Sequence, residues 1–314
     1  MANKRAILLM GPTAAGKTAI ALGLANHLPI EIISVDSALI YRGLDIGSAK
    51  PSRAELLQVP HHLIDILSPL ENYSVADFLK DCNQCISDIC ERGKLPVLTG
   101  GTMMYFNALI NGISELPEAN PEIRQQLEID FDKNGNLSMH QRLMALDPVS
   151  AAKINPNDRQ RIERALEVYY ICGKPMSIMQ KEKWIPGLPD CEYLSLGIMP
   201  TNRELLHQRI NQRFDSMLEM GIIDEVANLR LQYPELTDKH NSMRMVGYSQ
   251  VWSYLEGIID YEGLRMEGMA ATRQLAKRQL TWLRSLPLQV IDDPQLNQSI
   301  LLQKTLDLIS SWIY

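Results

Sequence analysis

A chain of 314 residues exceeds the usual size of one domain, so a large core with an insertion, or two domains, is expected. Hydrophobic residues make up 46% and charged residues 22%, ordinary globular usage that excludes disorder and fibrous repeats, and no run approaches the roughly 18 apolar residues of a membrane span. The net charge of −6 argues against a generic nucleic-acid binder, which carries a basic excess, so any such site must be a local patch.

The opening apolar run leads straight into a glycine-rich turn rather than a cleavage site, and residues 5–10 read as a buried first strand, not an export signal. Next come Gly11, Pro12, Thr13, Ala14, Ala15, Gly16, Lys17 and Thr18, which match G-x-x-x-x-G-K-[ST] before a helix expected over 18–27. The glycines let backbone amides turn inward around a polyphosphate, and the helix N-terminus adds positive potential. Lys17 supplies a point charge, and the Thr18 hydroxyl can ligate Mg²⁺. Kinases, hydrolases and transferases all use such a cradle, so it does not name a reaction.

A second strand, 31–36, ends in Asp36, at the edge of a parallel sheet where ligands bind. Asp36 is therefore a candidate general base beside a bound diphosphate. An aspartate there equally caps the next helix or holds Mg²⁺ through water, and position alone leaves these open. His61 and His62 invite a metal reading, but neighbours in an extended segment point apart, so packing or a hydrogen bond is expected. Cys82 and Cys85 form a C-x-x-C inside a helical stretch, 77–92, with no second pair at zinc spacing; with Cys90, Cys172 and Cys191 they read as ordinary thiols of a reducing, cytoplasmic compartment. A third strand follows at 95–99.

The β-α-β-α-β order implies an α/β fold, a P-loop NTPase-like parallel sheet with helices on both faces. From 115 to 188 the residues are polar, helix-forming and proline-punctuated, with no clear strand, which indicates an inserted helical domain between core segments 1–114 and 189–314. Strands at 193–198 and 288–291 and helical stretches at 203–233 and 262–285 complete the core. On the last helix Arg273, Lys277 and Arg284 fall within an arc of about 40°, with Leu275, Trp282, Leu283 and Leu286 opposite.

Taken together, the motifs at 11–18, 34–51, 59–65, 100–105, 147–158, 161–168 and 244–250 resemble those of the bacterial tRNA dimethylallyltransferases (tRNA isopentenyltransferases), over nearly the whole chain. A C-terminal zinc finger, carried by some eukaryotic relatives, is not expected. The resemblance implies transfer of a dimethylallyl group from dimethylallyl diphosphate to the exocyclic amine of the adenosine next to the anticodon (tRNA position 37), with release of diphosphate. It gives Asp36 the role of base, and it sets Thr13, Lys17, Arg213 and Mg²⁺ on Thr18 against the diphosphate. By spacing alone Arg213 is a solvated helix residue; only the stretch 210–217, similar to the family's diphosphate-binding helix, singles it out. Asp36, Ser37, Ala38, Leu39 and Thr102 are implied around an everted base. Arg124, Gln160, Arg161, Ile162, Glu163, Arg164, Arg244, Gly247, Tyr248, Lys277 and Arg278 are implied on the tRNA anticodon stem-loop. No stable protein partner is implied, and a monomer is expected.

Overall fold

The computed structural model describes residues 4–313; the first three residues of the opening run lie outside them. The chain packs into two compact units, one up to Leu109 and again from Leu188, the other Ile110–Gly187.

In the first unit β1 (Lys4–Met10), α1 (Lys17–Leu24), β2 (Ile30–Val35), α2 (Arg53–Gln58), β3 (His61–His62), α3 (Val75–Glu91), β4 (Leu95–Gly100) and α4 (Met103–Asn111) follow in order. The second unit holds β5 (Ile113–Ser114), α5 (Pro121–Leu146), α6 (Pro148–Ala151), α7 (Arg159–Cys172), α8 (Met176–Glu182) and β6 (Trp184–Ile185). The first then resumes with β7 (Cys191–Ile198), α9 (Arg203–Glu219), α10 (Ile222–Gln232), α11 (Tyr248–Leu255), α12 (Tyr261–Leu283), β8 (Gln289–Ile291) and α13 (Gln298–Ile313).

Six parallel strands form one sheet in the order β3-β2-β4-β1-β7-β8. Ile7 and Leu9 of β1, Ile32 of β2 and Val97 of β4 join α1 and α13 in a core on one face. Alternate residues of β1 turn to the other face, where α3 packs across β1, β2 and β4. Strand order reverses at β1, between β4 and β7, so the crevice beyond the carboxyl end of β1 is a topological switch point. A separate cluster on α9 to α12, including Phe214, Tyr248 and Leu264, packs with Ile40, Tyr41 and Leu44 of the segment after β2.

Several expectations shift. The helical stretch at 203–233 is two helices, because Gly221 stands between them in a left-handed turn (φ 94°). The inserted unit begins before 115 because β5 pairs antiparallel with β6 inside it, a two-residue ladder too short to show any periodicity. Helix α5 is broken at Gly135, and α7 starts on an Asp158 cap and ends at a left-handed Gly173. His62 bonds Glu31 through Nε2 at 2.7 Å and His61 Nδ1 meets the Val59 carbonyl at 2.8 Å, so each ring has a hydrogen-bonding role. All five cysteines are free thiols, and burial raises Cys82, Cys85 and Cys191 above the usual thiol range.

Among the described residues Glu31 is the one charged side chain buried within the central strands, and it binds β2, β3 and the end of α3 together. Its carboxylate, 4% exposed, accepts from Arg92 at 2.6 and 3.1 Å, Lys94 at 3.0 Å and His62 at 2.7 Å. Hydrogen bonds from Arg92, ahead of those from His62 and Lys94, outweigh burial and bring its pKa down to about 2. A depressed carboxyl stabilises the fold above its unfolded pKa and loses that contribution as pH falls toward the folded one. Acid denaturation of the wild type should therefore steepen between pH 4.5 and about 2. Glu31→Gln should flatten that limb and lower stability near pH 7 by on the order of 3 kcal/mol, read from urea melts.

Candidate active site

The loop after β1 folds around its own lysine. Ala14 (φ 62°) and Gly16 (φ 90°) are left-handed, and Lys17 Nζ donates to the Pro12 carbonyl at 2.8 Å. At Gly16 a Cβ would come within 2.1 Å of Gln298 Nε2, so this turn admits only glycine without rearrangement. The Thr13 amide does not face inward; it donates to Gln279 Oε1 at 2.9 Å. The same carboxamide donates through Nε2 to the Gly101 carbonyl at 2.8 Å, and Gln279 is 7% exposed.

Asp36 stands just past β2. One carboxylate oxygen accepts the Ala38 amide at 2.9 Å in a short turn. The turn after β4 locks onto it: Thr102 donates its amide to the Val35 carbonyl at 3.1 Å, and its hydroxyl accepts from the Ser37 amide at 3.0 Å. Gly100 permits this approach, because a Cβ there would sit 2.0 Å from the Val35 carbonyl oxygen.

These two loops open onto a cavity of about 480 Å³, lined also by Ile210, Arg213, Phe214 and Met217 of α9 and by Leu275 and Arg278 of α12. Burial raises Asp36 above the ordinary carboxylate range, against the pull of the Ala38 amide, Lys17 and Arg213. Burial also lowers Lys17 to about 8, with Asp36 opposing and Arg213 assisting, and it lowers Arg213. One carboxylate and two cations, each partly buried, thus line one cavity. A third wall is the segment 47–49, anchored where the amides of Asp45, Ile46 and Gly47 donate to Glu225 at 2.7 to 3.3 Å, while the Tyr248 hydroxyl donates to the same carboxylate at 2.7 Å.

The cavity suits a hard, hydrated cation. Thr18 lies exposed in the first turn of α1 and lines it. Ser34 and Thr99, paired across β2 and β4, line it too, and their buried hydroxyl oxygens have no partner within the protein. Among the described residues no cluster of three or more His, Cys, Asp or Glu could hold a metal alone. These few oxygen donors fit a hard divalent cation, and Thr18 is the residue that would hold it.

A family model described as IPP transferase matches residues 39–286. The chain is 53% identical over 290 residues to the tRNA dimethylallyltransferase of Chromobacterium violaceum, covering 92% of this chain and 88% of that one. It is 51% identical to the enzyme of the same name from Neisseria meningitidis serogroup C, covering 92% of both. The chain belongs to the IPP transferase family. Its fold is also that of the full-length tRNA isopentenylpyrophosphate transferase of Bacillus halodurans (TM-score 0.66, 35% identity, 98% of this chain and 97% of that one). A eukaryotic dimethylallyltransferase acting on tRNA superposes with a TM-score of 0.75 at 28% identity, over 92% of this chain and 74% of the other.

In this chain Thr13, Lys17, Thr18, Asp36, Ser37, Ala38, Leu39, Thr102, Arg213, Arg244, Gly247 and Arg278 line one cavity. Gly11, Pro12 and Ala15 are buried in the turn behind it, while Lys277 is exposed outside the lining. Arg213, which its spacing alone would leave in solvent, faces inward. Two residues expected on the RNA have buried side chains. Tyr248 is fully buried with its hydroxyl on Glu225, and Ile162 is fully buried in the core of the inserted unit with Leu127 and Phe131, so neither side chain is open to RNA. Gln160 and Arg161 are exposed, but Arg124 and Arg164 both bond the fully buried Glu167, and burial raises half-buried Glu163.

Three residues were not visible as functional in the sequence. Gln279 is a polar residue on the buried face of α12, and Glu225 looks like any acidic residue near a helix start. Trp282, expected on the apolar side, is 39% exposed and lines the cavity with Arg278. Of the expected basic stripe, Lys277 and Arg284 are exposed, whereas Arg273 bonds Asn211 at 2.8 Å.

Because burial lowers Lys17 to about 8 in the free protein, the advantage of the wild type over Lys17→Met in binding inorganic diphosphate should hold below that pH and shrink above it, by up to tenfold per pH unit, a comparison that cancels the titration of diphosphate itself. Calorimetric titration of both proteins from pH 6 to 9 tests this, and Lys17→Met should lose most of the affinity.

Proposed function

We propose that this protein transfers a dimethylallyl group from dimethylallyl diphosphate to the exocyclic amine of the adenosine next to the anticodon of tRNA, position 37, and releases diphosphate. The observation that carries this reading is the placing of Asp36, a carboxylate made more basic by burial, in one cavity with Lys17 of the phosphate loop and Arg213 of α9. The relatives named for the same reaction on tRNA support it.

The adenine amine is a weak nucleophile, since its lone pair is delocalised into the ring. Asp36 takes its proton as the new C–N bond forms at the allylic carbon and the C–O bond to diphosphate breaks. Negative charge then gathers on the leaving diphosphate, where Lys17, Arg213 and the Thr13 side chain receive it at partly buried positions that water screens less than the open surface. Mg²⁺ bound through Thr18 would supply further charge neutralisation there.

An adenine inside a folded loop must leave its stack, at a cost of a few kcal/mol. The turn from Asp36 through Leu39, locked by Thr102, receives the everted base, and the exposed Arg244, Lys277, Arg278 and Trp282 take the flanking nucleotides. In the inserted unit Gln160 and Arg161, with the outer faces of Arg124 and Arg164, offer RNA contacts. Among the described residues no helix is long and apolar enough to cross a membrane, and we place this reaction in the cytoplasm with the protein acting as a monomer.

Incubating the protein with dimethylallyl diphosphate, Mg²⁺ and an unmodified anticodon stem-loop should yield prenylated adenosine by mass spectrometry; absence of product on cognate RNA defeats the proposal. Asp36→Asn should lower turnover about 10³-fold while stem-loop affinity stays within about threefold. If Arg278 contacts an RNA phosphate, Arg278→Ala should reduce the slope of log Kd against log salt by about 0.7 to 0.9.

A further inference from the structure

Gln279 bonds both loops that the proposed reaction must hold in register. Its Oε1 accepts the Thr13 amide of the phosphate loop at 2.9 Å, and its Nε2 donates to the Gly101 carbonyl at 2.8 Å, in the turn that carries Thr102. The partners fix which end of the carboxamide is which, since an N–H needs the oxygen and a carbonyl needs the nitrogen. The side chain is nine-tenths buried, and Ala276, Leu280 and Leu283 are buried with it on α12. One residue before it and three residues after it the same helix presents Arg278 and Trp282 to the outside, both lining the cavity, with Lys277 exposed beside them.

One rigid helix therefore bears exposed groups on one side and, on the other, a latch to the phosphate loop. A ligand that holds α12 from outside favours the latched arrangement. An anion that needs Thr13 held in a fixed place favours the same arrangement from inside. Two ligands that prefer one state of a shared element assist each other's binding, and by linkage they do so by the same factor in both directions.

We propose that Gln279 is a positioning residue that couples the two substrate sites, so that RNA on α12 tightens the diphosphate site and diphosphate tightens RNA. The two states are the latch made and the latch broken. Losing either bond frees the phosphate loop from the turn after β4. This rests on the RNA prenyl-transfer reading, and its test separates the two.

The test measures the dissociation constant of inorganic diphosphate with Mg²⁺, calorimetrically, with and without a saturating unmodified anticodon stem-loop, in the wild type, Gln279→Met and Gln279→Glu. Methionine fills the space without either hydrogen bond. Glutamate keeps the acceptor for Thr13 but has no donor for Gly101. In the wild type the stem-loop should tighten diphosphate at least fivefold, within the usual range of coupling between sites. In both variants that factor should fall to about one, and each ligand alone should bind more weakly than to the wild type because the state it prefers is lost. A merely structural role predicts loss of melting temperature and of both single affinities with the coupling factor kept. A retained factor in either variant, or none in the wild type, overturns the coupling role. Binding of diphosphate and stem-loop by the wild type without any prenylated product would instead overturn the reading on which it rests.

Discussion

A carboxylate taken out of water is stable as an ion only if opposite charge stands near it, and Asp36 meets that condition through Lys17 and Arg213. The requirement is mutual. Burial weakens the hold of Lys17 and Arg213 on their protons, and Asp36 works against that loss. The three groups come from the loop after β1, the end of β2 and the middle of α9, so their balance exists only when sheet and helices are assembled around one cavity. Much of the remaining architecture serves that assembly. Gly100 lets the turn after β4 reach Val35, Thr102 fixes the backbone beside Asp36, and Glu225 with Tyr248 secures the opposite wall.

The parallel sheet explains why the carboxylate and the phosphate loop meet at all. Strands β1, β2 and β4 run in one direction, so their carboxyl ends present the loop, Asp36 and Thr102 at one edge. Glu31 shows the complementary device lower in β2. There the buried charge is fully occupied by Arg92, Lys94 and His62 and its pKa falls, whereas the pKa of Asp36 rises because burial outweighs its partners. Two acids five residues apart thus take different roles, one fixing the sheet and the other left able to accept a proton.

The order of elements and the phosphate loop were legible in the sequence because both rest on local patterns, aliphatic runs of five or six residues and fixed glycine spacing. Asp36 could be placed at the right edge, but its role could not be read from position, since capping, metal holding and proton transfer all use an aspartate there. What was hidden depends on contacts between elements distant in the chain. Arg213 and Gln279 lie on charged or mixed helices, and only packing turns one toward the cavity and the other toward Thr13. Burial of the Ile162 and Tyr248 side chains was hidden for the same reason: a motif marks a segment, while packing decides which of its side chains is free. The β5 and β6 pair, two residues each, lies below any periodic signal.

The cavity wall bears on which group is moved. Beside the charged residues it is lined by Ile210, Phe214, Met217, Leu275 and Met103, an apolar surface of the kind that favours a branched hydrocarbon over a phosphoryl group or a sugar. An allylic carbon that loses diphosphate becomes electron-poor, and water would capture it in place of the amine. A wall that sheds water around the bound donor would protect that carbon and strengthen the pull of Lys17 and Arg213 on the leaving group. The apolar lining and the buried charges are thus two consequences of one requirement. The site must stay dry around a donor whose two ends differ, and it receives its second substrate only as a single base turned out of a loop.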